Sequence, residues 1–213
     1  MKGRSLLTAQ QLSVTERVLA EAERCHLVVY LSGAHAYGFP SPDSDVDLKC
    51  VHIEASSRFL GLATPRLTFD RAEVIDSVEM DYTSNEVSLV LAGVLAGNGN
   101  YLERLLGDAT IEEHRALDGL RPLVAGALSR RVHRHYRGFA TSQRAELAKQ
   151  PSAKKALYVL RTALTGAHLL TTGKMVTDVR LLLDRYGFES AGTLIEAKRR
   201  GERQPLDEAD AAH

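Results

Sequence analysis

Between Ser44 and Ile53 the chain reads Ser-Asp-Val-Asp-Leu-Lys-Cys-Val-His-Ile, an alternation of carboxylate and apolar side chains. Side chains two apart on a β-strand stand on the same side, with Cα atoms about 6.5–7 Å apart. A strand over Asp45–Ile53 puts Val46, Leu48 and Cys50 on one face, and Asp45 and Asp47 on the other. Two converging carboxylates repel each other unless a cation sits between them. Hard divalent ions such as Mg²⁺ take oxygen ligands and keep positions open for water and phosphate oxygens. The pair therefore suits phosphoryl or nucleotidyl transfer. A solvated strand face would show the same pattern, so the pair alone leaves both readings open.

Its neighbours narrow the choice. Leu27-Val-Val-Tyr-Leu31 is a continuous apolar run, the mark of a buried strand. It leads into Ser32-Gly33 and a helix start, where backbone N–H groups can cradle an anion. Gly33 allows a close backbone approach to phosphate, or serves only the turn. A third strand, from about Val74 to Tyr82, puts Glu79 and Asp81 on the face opposite Val78, Met80 and Tyr82. Either is a candidate third carboxylate, as metal ligand and as general base toward an attacking hydroxyl.

The rest of the first half reads as helix. Ser13…Glu16 is a capping box opening a helix to about Cys25, and Thr83…Glu86 is another. After the second box, Val87, Leu91, Val94 and Leu95 form one apolar face. Beyond about residue 110 only helical periodicity remains: Val132, Tyr136 and Phe139, then Leu157, Leu160 and Leu164, then Leu181–Leu183, with Gly173 and Gly187 as stops. The expected fold is α+β, a small mixed sheet followed by a C-terminal helical bundle. Residues 1–110 would form the catalytic part and 111–201 the helical part, with 202–213 a disordered tail.

Composition bounds the function classes. With 44% apolar and 25% charged residues the 213-residue chain is an ordinary soluble globular protein. A net charge of zero means that attraction to nucleic acid must come from local patches. Cys25 and Cys50 lack zinc-site spacing and make no disulfide framework, so both are expected buried and reduced. No apolar run approaches a membrane span, and the first residues lead into charged helix with no apolar leader segment. A cytoplasmic location follows.

The most basic stretch, Arg130-Arg-Val-His-Arg-His-Tyr-Arg137, reads either as a solvated helix face or as a phosphate-tracking surface. Lys154 and Arg161 lie seven apart on one helical face, with Tyr158 between them, positioned to offset charge on a triphosphate. Arg131 and Lys155 are weaker candidates. His35 would contact nucleotide or cap the glycine turn. His133, His135 and His168 have no partner at metal spacing. Asn98-Gly-Asn100 reads as a turn, and Glu103 as a brace acting through Arg104 or a neighbouring strand.

The string from Leu31 to Leu48, Leu-Ser-Gly-Ala-His-Ala-Tyr-Gly-Phe-Pro-Ser-Pro-Asp-Ser-Asp-Val-Asp-Leu, resembles the signature of the DNA polymerase beta-like nucleotidyltransferase superfamily. With Ala96-Gly-Asn-Gly-Asn-Tyr-Leu-Glu103 and the Lys154…Arg161 helix, it is similar to the bacterial branch of predicted nucleotidyltransferases associated with RNA repair. The resemblance extends to about residue 185. It implies that Asp45, Asp47 and Asp81 hold two Mg²⁺ or Mn²⁺ ions, with Asp81 preferred over Glu79. It also implies that Ser32, Gly33 and Ser44 lie near the triphosphate of an NTP such as ATP. The activity implied is transfer of a nucleoside monophosphate to an acceptor hydroxyl, an RNA end among the candidates, with release of pyrophosphate. Two positions depart from the pattern. Ala34 stands where the superfamily has Ser or Gly, which removes a hydroxyl contact to phosphate, and Tyr158 stands where His is expected. These departures keep open an inactive or antitoxin-like module that binds a partner protein or nucleotide without transfer.

Overall fold

A computed structural model describes residues 1–62 and 65–200. In chain order the elements are α1 (Ala9–Ala22), β1 (His26–Leu31), α2 (Gly33–Tyr37), β2 (Val46–His52), α3 (Ser56–Phe59), β3 (Thr68–Ile75), β4 (Val78–Glu86), α4 (Val87–Leu95) and α5 (Gly99–Leu106). They continue with β5 (Thr110–Glu113), α6 (Ala116–Gly126), α7 (Arg131–Lys149), α8 (Ala153–Thr172), α9 (Arg180–Leu183) and α10 (Gly192–Arg199).

The strands form a mixed five-stranded sheet in the order β3-β4-β2-β1-β5. Only β2 and β4 run parallel; the other three pairings are antiparallel. Because β1 has strands on both sides and helices against its faces, its apolar run is buried from Leu27 to Leu31. In β2 the alternation holds as read: Val46, Leu48 and Cys50 are buried, while Asp47 and Lys49 point to the other, half-open face. The α+β reading with a small mixed sheet is what the chain adopts. No described helix is long and apolar enough to cross a membrane.

Several local expectations shift. The first helix starts one turn earlier, at a capping box formed by Thr8 and Gln11, and ends at Ala22. Both Thr8…Gln11 and Ser13…Glu16 fit the cap pattern, and the earlier pair is the one used. The expected third strand is a hairpin of two, β3 and β4, turning at Asp76 and Ser77, both with positive φ. That turn carries no glycine, so the sequence shows no hairpin signal there. Thr83 lies inside β4; the cap of α4 is Glu86, whose carboxylate accepts from the Ser88 backbone N–H at 2.6 Å. β5 occupies the start of the part expected to be helical only; it edges the sheet beside β1, so the strands end at Glu113. Gly173 does stop α8, in a left-handed conformation with its N–H bonded to the Leu169 carbonyl, and Gly187 closes a short 3-10 turn. Cys50 is buried as expected, but Cys25 is exposed. The tail expected to be disordered lies outside the described residues.

Helices α7 and α8 pack along each other, joined by residues 150–152, and α5 reaches α7 from the sheet side. A cleft remains between the open face of β2 and β4 and this helical wall.

Candidate active site

The cleft, of about 320 Å³, is lined by Ser32, Gly33, Asp47, Lys49 and Asp81 from the sheet side, and by Glu103, Phe139, Tyr158 and Arg161 from the helices. Its floor is set by strand register. In the parallel β2–β4 pair Asp47 stands directly beside Asp81. Glu79 is exposed and lines a neighbouring groove with Asp45 and Asp81. Asp81 thus borders both spaces and links Asp47 to Asp45.

Asp47 carries the electrostatic cost of this crowding. Burial, followed by the Asp45 charge, pushes its carboxyl up to about 6; Asp81 pushes the same way, and Lys49 opposes. Lys49 is the residue that sequence reading missed. Its Nζ lies 2.7 Å from Asp81 Oδ2, 3.6 Å from Asp47 Oδ1 and 3.4 Å from Thr83 Oγ1. The available signal was parity, because Lys49 follows Asp45 and Asp47 on the same face of the strand. Among the described residues no three His, Cys, Asp or Glu side chains converge on a common metal position. What the floor presents is a carboxylate pair with Asp45 at its edge and an ammonium between the paired groups. Oxygen donors already holding one cation are the chemistry that Mg²⁺ or Mn²⁺ would use.

Gly33 packs over this floor. Its φ is +63°, and a Cβ there would lie 2.0 Å from Asp47 Oδ2. Turn geometry and side-chain room both demand glycine. The Ser32 backbone N–H bonds to the Asp47 carbonyl at 2.8 Å, and the Ser32 hydroxyl lies 3.0 Å from the Tyr37 hydroxyl. Ala34 is 1% exposed and does not line the cleft.

The opposite wall is a buried polar network. Arg161 Nη1 donates to Glu103 Oε1 at 2.6 Å, with both side chains nearly inaccessible. The hydroxyls of Tyr136 and Tyr37 donate to the same carboxylate at 3.2 and 3.4 Å. The Arg161 guanidinium stacks on the Tyr37 ring at 3.8 Å, and Tyr158 meets that ring edge-on. Burial pushes the Tyr37 phenol up to about 12, so it stays a neutral donor. Arg161 Nε has no acceptor among the described residues. Four helices (α2, α5, α7 and α8) thus converge on Glu103.

Several residues singled out in the sequence sit differently from the positions expected of them. Glu103 engages Arg161 and the tyrosines, whereas Arg104, which also lines the cleft, bonds to Asn85 of β4 and the Cys50 carbonyl of β2. Ser44 does not line the cleft: its hydroxyl engages Ser41 and the buried Lys198 of α10. Lys154 does not line it either, whereas Arg161, two turns later, does. His35 is buried near Gln11 and does not face the cleft. Asn98 caps α5, its side chain accepting from the Asn100 N–H at 3.0 Å. Phe139, expected in the core, is 39% exposed and forms part of the cleft wall.

A mixed sheet with paired aspartates on adjacent parallel strands, closed by a glycine turn and walled by helices, is the arrangement of a polymerase beta-like nucleotidyltransferase. The chain belongs to the RNA repair pathway DNA polymerase beta family (RlaP), which it matches over residues 13–212. It is 27% identical over 189 residues to uncharacterized protein MJ0002 of Methanocaldococcus jannaschii, covering 86% of this chain and 76% of that protein. A nucleotidyltransferase-like protein from Exiguobacterium sibiricum, of known crystal structure, is 10% identical with a TM-score of 0.38 over 91% of this chain and 80% of the other. That likeness is too distant to bear on function.

Proposed function

We propose that the protein is a metal-dependent nucleotidyltransferase that moves a nucleoside monophosphate from an NTP, such as ATP, to an acceptor hydroxyl with release of pyrophosphate. The observation that carries this reading is the side-by-side placement of Asp47 and Asp81 under Gly33. Asp45, Asp47 and Asp81 would hold Mg²⁺ or Mn²⁺. Bound there, the ions would offset charge on the attacking and leaving oxygens. Asp81 has the more exposed side chain of the facing pair, 43% against 18% for Asp47, and so can meet an incoming acceptor and take its proton. Ser32 and Gly33 line the phosphate end of the cleft. Arg161, held by Glu103 and stacked on Tyr37, lines the helical wall and would add positive potential there from a fixed position. Ser44, tied to Lys198, steadies the loop ahead of Asp45.

The acceptor we favour is an RNA end. In a chain of zero net charge, α7 carries Arg134, Arg137 and Arg144 exposed and with no ion pair among the described residues. Arg137, Arg144 and His133 border a groove of about 410 Å³ between α7 and α8. Such an unpaired basic face suits a phosphate backbone. Two free thiols, one of them exposed, fit a reducing cytoplasm.

Incubation with each labelled NTP, Mn²⁺ or Mg²⁺, and RNA, protein or small-molecule acceptors tests the reading. Label should pass to RNA, and Asp45→Ala or Asp47→Ala should lower transfer by at least about a thousandfold. Retained activity in these variants would refute the metal assignment. A second reading, a module that binds nucleotide without transfer, draws on Lys49, which partly neutralises the carboxylates from within the chain. Metal-dependent nucleotide binding with no labelled acceptor would favour it.

A further inference from the structure

Lys49 meets the site carboxylates from the face of β2 opposite the buried core. It sits on β2 in register with Thr83 of β4, on the half-open face, with its side chain 23% exposed. The ammonium reaches sideways to Asp81 Oδ2 at 2.7 Å and back to Asp47 Oδ1 at 3.6 Å. It therefore lies against the same two carboxylates that a divalent cation would use, and it lines the cleft itself. A lysine suits a counter-charge that must move, being a compact charge on four flexible methylenes, whereas a bidentate arginine would be harder to displace.

We propose that Lys49 is a resident counter-ion: it leaves the Asp47–Asp81 pair when a divalent cation binds, and then pairs with the phosphate chain of the nucleotide. The inference rests on the metal-dependent reading above. A dication outcompetes a single ammonium for two carboxylates and repels it from its place. Displaced, the side chain remains anchored two residues from Asp47, about 6.5–7 Å along the strand, within reach of anionic oxygens held above that residue. Arg161 serves the helical side of the same anion, but its partner Glu103 fixes it there. Lys49 would be the cation on the sheet side that is free to follow the substrate. The arrangement keeps the carboxylates from facing one another unscreened before metal arrives, and it couples metal entry to phosphate binding.

The test is calorimetric titration of the full chain with Mn²⁺ alone, comparing wild type with Lys49→Met. The variant should bind Mn²⁺ on the order of tenfold more tightly, because no ammonium has to leave. At saturating Mn²⁺ it should bind a non-hydrolysable NTP analogue about tenfold more weakly, with Lys49→Arg restoring most of that affinity. Without metal its melting temperature should fall, and Mn²⁺ should raise it by more than in wild type. If Lys49→Met does not fold, Lys49→Gln carries the same comparison. Wild type that binds Mn²⁺, with neutral variants binding it no tighter, overturns this inference and leaves the functional reading standing. Wild type that binds no divalent ion overturns both.

Discussion

On the sheet side of the cleft, Asp47 and Asp81 share a half-open face with a single ammonium, Asp45 lies just beyond in the neighbouring groove, and Asp47 holds its proton up to about pH 6. On the helical side, one carboxylate, Glu103, faces one guanidinium, Arg161, with two tyrosine hydroxyls completing its bonds. The first wall has more negative charge than its neighbours neutralise and is partly open to solvent. The second is charge-balanced and sealed. Such a division suits a site in which one wall must accept ions and the other must hold its shape while they come and go. Removing a charge should therefore have opposite consequences on the two walls.

The largest effect is expected on the sealed wall. Glu103→Gln leaves Arg161 buried without its counter-charge and should cost about 3–5 kcal/mol in urea unfolding. Asp47→Asn relieves repulsion and should leave the metal-free protein as stable as wild type or more so at pH 7–8. Equal destabilisation by the two substitutions would break the comparison. Next in size is Gly33→Ala. It meets both a left-handed backbone, worth about 1–2 kcal/mol, and the Asp47 carboxylate, and displacing that group should lower transfer about a hundredfold. Gly173→Ala is the matching control, since its φ is +70° and nothing lies within 4 Å of the added Cβ. It should show the backbone cost in unfolding with transfer unchanged.

The smallest effect is graded with pH. The Asp47 carboxyl titrates near 6 when folded, against an ordinary value of 3.8. Between these values the folded state keeps a proton that the unfolded chain has released. The Asp47 contribution to stability therefore declines as pH rises through this window, and the full penalty is present above about 6. Mn²⁺ needs the deprotonated carboxylate, so its affinity should rise by at most about tenfold per pH unit up to about 6 and then level off. Asp47→Asn should flatten the stability profile. A wild-type metal affinity that is flat from pH 4 to 7 would show that Asp47 is not a ligand.

Much of the sheet wall was legible because its signals are local. A strand's period of two puts Asp45 and Asp47 on one face without reference to anything else, and the Leu27–Leu31 run could hardly be other than a central strand. The same parity rule covered Lys49, which went unread only because a lysine on a strand face usually denotes solvent. The helical wall was not legible in this way. Arg161 and Glu103 are 58 residues apart, and adjacent Glu103 and Arg104 turn to different partners, which no periodicity distinguishes. Ser44 looked like a phosphate contact by position, yet its partner Lys198 is 154 residues away. The Asp76–Ser77 turn lacks the residues that normally announce a hairpin, so two strands read as one.

The sequence by itself determined that Asp45 and Asp47 project from one strand face, with Lys49 following at the same parity, since backbone geometry dictates side-chain direction over a few residues. Only the tertiary structure decided that Asp81, not Glu79, stands beside Asp47, since that choice rests on the register between two parallel strands some thirty residues apart in the chain. It also decided that Glu103 holds Arg161 at the back of the cleft, because a buried charge takes its partner from whatever the packed helices bring within hydrogen-bonding distance.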